Sequence, residues 1–288
     1  MTCRIVVPVN ETEQSDHAVP IAVALARRMH LRVALVSAVE WPNLDHPGHA
    51  GYHESLMQPF PDVAADTIVV RSKVDTASAI RSVCVPGDIL CIGAGHVSAI
   101  GEMLLSSVFF DLLRTFHGPV VAVGRGAVLP EGADRLLICV DGRARSEEGL
   151  ALVATVGDPC GFQPFLVQTV DELHDAERLP MDTSESGYVR ALAATVTSRY
   201  EVGWDVLHGD PSEAIASYAN SPEVAMVGLA TDALDALGRL ISPSLANELR
   251  QTCPRPLLLM KPERAVIVEA HPIVPRADAT PPTQGSTP

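Results

Sequence analysis

Short apolar runs alternate with longer amphipathic ones along most of the chain. Arg4–Val9 (RIVVPV), Leu31–Val39 (LRVALVSAV), Thr67–Arg71, Asp88–Ile92 and Val120–Val123 are apolar over nearly their whole length. Such runs, bounded by Gly, Pro or polar residues, predict strands buried on both faces of a parallel sheet. Between them, Ala18, Ile21, Ala22, Leu25, Ala26 and Met29 fall on one face of a helix predicted over Glu13–Met29. Arg27 and Arg28 lie in its last turn, where positive charge complements the helix dipole. Thr76–Val85 and about Ala99–Phe116 predict two further helices. Trp41–Asp66 carries Pro42, Pro47, Pro59 and Pro61 with Gly48 and Gly51, which predicts a loop holding at most a short helix over Tyr52–Met57.

The same order returns downstream. Strands are predicted at Arg135–Val140, Phe162–Thr169, Val202–Leu207, Val224–Val227 and Leu257–Met260. Helices are predicted at Ser146–Val156, Ser184–Tyr200, Ser212–Ala219 and Asp232–Gln251. Val9–Asn10 aligns with Val140–Asp141 at an offset of 131, Gly93 with Gly228 at 135, and Pro119 with Pro256 at 137. A slowly drifting offset is the mark of a duplicated domain with small loop insertions. The expected organisation is a first domain at 1–125, a linker at 126–134 (Gly- and Pro-punctuated), a second domain at 135–261 and a proline-rich tail at 262–288.

Composition narrows the class. The 288 residues are 47% apolar but only 4% aromatic, so the core is built from Val, Ile, Leu and Ala. No apolar run is long enough to cross a bilayer, and the N-terminal stretch lacks the pattern of a signal peptide, which gives the expectation of a cytoplasmic protein off the membrane. Net charge is −14, about −3 over 1–130 and −11 over 131–260. An acidic chain without a basic stripe excludes nucleic acid as an expected partner. The six cysteines form no CxxC pair, and reduced thiols acting as small hydrophobes are expected.

Chemistry concentrates at the glycine turn that follows the fourth strand, Gly93 and Gly95, with Gly228 as its expected counterpart. Glycine lets a backbone approach closely, and the next helix offers unpaired N–H groups to an anion. His96 in that turn reads either as a phosphate contact or as an exposed turn residue. Asp141 reads either as a ligand carboxylate or as a cap on the next helix. His46, His49 and His53 have spacings suited to metal ligands on a helix, but Pro47 and Gly48 argue for a polar loop, so no metal is expected. The chain has no GxxxxGK[ST] loop and no G-x-S-x-G elbow, so neither a P-loop ATPase nor an acyl-transfer hydrolase is expected, and no catalytic residue is assigned.

Strand–Asp/Asn–helix–strand, then Gly-x-Pro–helix, strand–Gly turn–helix and a Pro-led last strand: this order resembles the universal stress protein family over residues 1 to about 261. The resemblance implies an α/β fold of two tandem, doubly wound, five-stranded parallel-sheet domains of the adenine nucleotide alpha hydrolase-like kind, each with strand order 3-2-1-4-5. It implies an internal pseudo-dimer paired through Val120–Val123 and Leu257–Met260, and leaves room for a further homodimer. Family members that bind ATP carry an Asp after the first strand and a Gly-x2-Gly-x9-Gly-Ser/Thr signature at the fourth. Here the implied contacts in the first copy are Val9, Asn10, Val39, Gly93, Gly95, His96, Ser106, Ser107 and Val108. In the second copy they are Asp141 and Gly228, followed by Thr231, Pro243 and Ser244, where proline removes a donor. The implied function is a stress-response binding or regulatory protein with a degraded ATP signature. An adenine nucleotide would bind weakly in the first domain, and a protein partner would read the output. The alternatives are a nucleotide-independent scaffold and a slow ATP hydrolase.

Overall fold

The computed structural model describes residues 3–40, 48–72, 75–93, 102–142, 147–170, 186–230 and 243–260. The first half runs β1 (Arg4–Pro8), α1 (Glu13–Asp16), α2 (Ala18–Met29), β2 (Arg32–Glu40), α3 (Gly48–Met57), β3 (Ala65–Ser72), α4 (Thr76–Val83), β4 (Ile89–Gly93), α5 (Glu102–Thr115) and β5 (Val120–Val123). The second half runs β6 (Arg135–Val140), a mixed helical segment α6 (147–160), β7 (Gln163–Val170), α7 (Ser186–Ala193), β8 (Gly203–His208), α8 (Pro211–Ala219), β9 (Val224–Ala230), α9 (Pro243–Thr252) and β10 (Leu257–Met260).

All ten strands lie in one sheet, ordered β3-β2-β1-β4-β5-β10-β9-β6-β7-β8. Within each half the pairs are parallel and the order is third, second, first, fourth, fifth. The halves meet at an antiparallel pair of fifth strands, with Leu257 opposite Ala122, Leu258 opposite Val121 and Leu259 opposite Val120. This is the pseudo-dimer the sequence resemblance implied. Continuous apolar runs are buried because helices cover both faces. Residues of α2, α3, α6 and α7 pack with the sheet on one side, and residues of α4, α5, α8 and α9 on the other. Arg28 ties the halves together away from the sheet. Its guanidinium donates to the carbonyls of Ala133 (2.8 Å) and Cys160 (3.3 Å) and lies 4.8 Å from the centre of the Phe162 ring.

Local chemistry explains most element ends. Thr12 caps α1 by accepting from the Ser15 N–H, and Asp75 and Asp210 cap α4 and α8 in the same way. The break at His17 follows from Pro20, which cannot donate to the Asp16 carbonyl one turn back. His30 ends α2 in the left-handed region (φ 54°).

Three expectations are corrected. First, α3 is a full helix from Gly48, placing His49 and His53 one turn apart. Pro47 stands just ahead of it, where proline obstructs nothing, and Gly51 costs little against the packing of Tyr52, Leu56 and Met57 on the core. Second, α7 stops at Ala193 rather than Tyr200. Third, the register of the sheet changes the internal alignment. Val6 pairs with Leu90 in the first half, and its counterpart Leu137 pairs with Val227 in the second. The counterpart of Gly93 is therefore Ala230, at the constant offset of 137, and not Gly228. Gly228 is an inner residue of β9 whose missing side chain makes room for Ile138, since an added Cβ would lie 3.0 Å from Ile138 Cδ1. Of the helix predicted over Asp232–Gln251, 232–242 lies outside the described residues, as does the tail from 261. Cys91, Cys139, Cys160 and Cys253 are buried free thiols, as expected, and burial pushes the Cys253 thiol up to about 11.

Candidate functional site

In an open α/β sheet of this order, ligands bind beyond the carboxyl ends of the strands, where the first and fourth strands diverge. Here those ends are β1 and β4 in the first half and β6 and β9 in the second. Val9 is buried at the end of β1, and its carbonyl accepts from the Ser37 hydroxyl at 3.2 Å. Asn10 is exposed and orders the loop. Its N–H donates to Ser15 Oγ (3.2 Å) and its Oδ1 accepts from the Thr12 hydroxyl (2.7 Å). Val39 is half-buried on β2, beyond Ser37. Asp141 is exposed at the matching point after β6.

The last residue of β4 is shaped for helix packing. A Cβ on Gly93 would lie 1.8 Å from the Gln14 carbonyl oxygen, so α1 rests directly on this glycine. In the second half Ala230 occupies that place. The glycine stands on the helix side instead, where a Cβ on Gly149 would lie 3.2 Å from the Ala230 nitrogen. Each half thus spends one glycine on closeness of the first helix to the fourth strand, at opposite ends of the contact. Gly95 and His96 lie outside the described residues. Ser106 and Ser107 lie inside α5, which is already helical at Glu102, so their N–H groups are used within the helix. Unpaired N–H groups of the kind that hold a phosphate are found at a helix start instead. At the matching position of the second half stands Pro243, the first described residue of α9, which has no N–H to donate. Val108 is half-buried and packs on the core.

Residues that the sequence reading did not single out dominate the geometry. Tyr52 on α3 reaches over the end of β1. Its hydroxyl donates to Asp16 Oδ1 and accepts from the Glu11 N–H at 3.0 Å, with Glu11 held in the left-handed region (φ 61°). Burial, and then the bond to Asp16, push the Tyr52 phenol up to about 12. The second half repeats this. The Tyr188 hydroxyl on α7 donates to Glu147 Oε1 at 2.9 Å and also hydrogen-bonds with the backbone of Gly142, which has φ 78°. Asp16 and Glu147 are 131 residues apart, as are Glu11 and Gly142, and the tyrosines are 136 apart. Those separations fit the drift from 131 to 137, so a signal was available among only four tyrosines. Behind Tyr52, His53 is 1% exposed, and its Nε2 lies 2.7 Å from Ser37 Oγ. Among the described residues no group of His, Cys, Asp and Glu is arranged to hold a metal.

Comparison of folds rests on this topology. A universal stress protein from Archaeoglobus fulgidus DSM 4304 superposes with a TM-score of 0.61 at 14% identity, covering 90% of this chain and 98% of that one. The fold is that of the universal stress proteins. A putative universal stress protein from Pseudomonas aeruginosa UCBPP-PA14 matches at a TM-score of 0.57 and 15% identity, over 91% of this chain and 94% of that one. A functionally unknown protein from Pseudomonas aeruginosa PAO1 matches at 0.60 and 16%, over 91% and 93%. No family model matches the sequence, and no curated protein matches it. The two-domain coverage agrees with the tandem universal stress protein fold read from the strand order, and no helix among the described residues is long and apolar enough to span a membrane.

The tyrosine latch gives a direct expectation. Tyr52→Phe leaves the Glu11 N–H and the Asp16 carboxylate without their shared partner and lowers stability by about 1–3 kcal/mol. Equilibrium denaturation checks this. Tyr188→Phe has an effect of the same sign, because its hydroxyl bridges the same two points of the second half.

Proposed function

We propose that this chain is a stress-response regulatory module of the universal stress protein kind, with no catalytic chemistry of its own. In this reading adenine nucleotide is bound weakly in the first half and not in the second, and a protein partner reads the output. The 1–125, 126–134 and 135–261 divisions serve as its working domain limits. The observation that carries the reading is what stands at the end of the fourth strand and in the helix that follows. In the first half its leading glycine is committed to Gln14 and its Ser106–Ser107 pair lies within a formed helix. In the second half Ala230 and Pro243 stand at the matching positions. A backbone that is already hydrogen-bonded has little to offer a triphosphate. Asn10 in place of a carboxylate removes the charged acceptor that the resemblance assigns to that position.

Calorimetric titration with ATP, ADP, AMP and cyclic AMP, with and without magnesium, tests this. The expected result is at most one site per chain, with Kd weaker than about 0.1 mM, which corresponds to roughly −5.5 kcal/mol. Ser107→Asp puts a carboxylate where the resemblance places phosphate, and it is expected to abolish that binding. Two sites, or nanomolar affinity, would defeat the reading. Steady phosphate release by the wild type, absent in Ser107→Asp, would make the protein a hydrolase instead.

A further inference from the structure

We infer that His53 makes the first half acid-sensitive: protonating its imidazole releases α3 from the end of the sheet, while the second half, which lacks the device, stays closed. The inference rests on what surrounds the ring. His53 is 1% exposed, Nε2 is taken by Ser37 Oγ at 2.7 Å, and Nδ1 is buried with no hydrogen-bond partner. The Ser37 hydroxyl gives its one proton to the Val9 carbonyl, so in the neutral ring Nε2 carries the proton and Ser37 Oγ accepts it, leaving Nδ1 bare. An imidazolium carries a proton on both nitrogens, so charging the ring places an N–H at Nδ1 with nothing to accept it. A buried, unpaired donor on a charged group is expensive, and water is the relief.

Burial lowers the His53 pKa most, and His49, one turn earlier on α3, lowers it further. From β1 comes the Val9 carbonyl, already holding Ser37, and from β2 the Ser37 hydroxyl. On β3, the exposed Arg71 pairs in register with Val39 and so lies on the sheet face of Ser37 and Val39. None of the carboxylates nearby is bonded to Nδ1 of the ring. Glu11 lies 3.8 Å from His49, Asp16 accepts from Tyr52, and Glu54 is exposed on α3. The titrating group therefore sits between the strand ends and the helix whose Tyr52 holds the loop after β1.

The second half supplies an internal control. The residue after Tyr188 is Val189, fully buried at the place of His53, and the β7 residue matching Ser37 is Gln168. An aliphatic side chain is thus accommodated at this point of the fold, and no histidine titrates there.

The sign follows from linkage. A histidine with a folded pKa below its unfolded value of about 6.5 contributes stability that is complete above that value. That contribution is lost as pH falls through about 6.5 toward the folded pKa. Amide hydrogen exchange, followed by mass spectrometry on the full chain and corrected for intrinsic rates, reads the opening of α3 and α7 between pH 7.5 and 5. Opening of α3 is expected to rise by up to about tenfold per pH unit below 6.5, while α7 changes much less. His53→Val, which copies the second half, is expected to flatten the α3 profile. Equal responses in α3 and α7, or an unchanged profile in His53→Val, would overturn the inference. Should His53→Val fold poorly, NMR titration of the wild-type His53 ring decides: a midpoint below 6.5 that coincides with α3 opening supports it, and an ordinary midpoint without opening refutes it.

Discussion

Asp88→Ala is expected to lower the unfolding free energy by about 3–5 kcal/mol, and the midpoint of thermal unfolding by about 10 °C. Asp88 is fully buried just before β4. Its Oδ1 accepts from the Arg4 N–H (2.9 Å), and its Oδ2 accepts from the Arg4 guanidinium (3.0 Å) and the Val85 N–H (2.9 Å). Removing the carboxylate strands one cation and two backbone donors where water has little access, which is why truncating one partner costs more than the pair is worth. The second half offers the comparison. Arg135 opens β6 as Arg4 opens β1, and it pairs with Glu223 at 2.7 Å, but the Glu223 side chain is 57% exposed. Glu223→Ala is therefore expected to cost about 1 kcal/mol or less. Equal losses for the two variants in denaturant titrations would show that burial is not what sets the value of this pair.

Gly93→Val produces the second large loss. It is expected to destabilise the first half by 3 kcal/mol or about that, the upper end for overpacking, whether or not a nucleotide is present. The added Cβ alone would lie 1.8 Å from the Gln14 oxygen and 2.7 Å from its carbon, and both are backbone atoms that cannot rotate away. Relief requires moving α1, which carries Asp16 and with it the anchor of Tyr52. Circular dichroism melts with and without saturating ATP check this. A melt unchanged without ATP but shifted with it would make Gly93 a ligand contact instead. The same geometry means that loss of binding in a Gly93 variant does not identify a binding residue, and Ser107→Asp is the better probe.

Most of the fold was legible because buried parallel strands leave a strong trace. Arg4–Val9, Asp88–Ile92, Val120–Val123 and Arg135–Val140 are near-continuous apolar runs, and each was placed within a residue or two. The repeat was visible because strand–helix spacing is conserved by packing. The candidate site was much less legible. Val9, Asn10 and Asp141 stand at the strand ends as expected, but Gly93 faces a helix, Ser106 and Ser107 lie inside one, and Gly228 lies within a strand. Spacing counted from a glycine carries no information about which neighbour requires the glycine.

By itself, then, the sequence determined two five-stranded units, their order in the chain, the acidic balance and the absence of a P-loop. These follow from local periodicity and composition, which each segment carries without reference to the rest. The tertiary structure alone decided that Ala230 is the partner of Gly93 and that Tyr52 and Tyr188 close the two strand ends. It also decided that one acid–arginine pair is buried while the other is wet, and that His53 has a nitrogen with no acceptor. The reason is physical: hydrogen-bond satisfaction, register and close approach are properties of pairs brought together from distant parts of the chain, and their cost is set by burial that no single segment encodes.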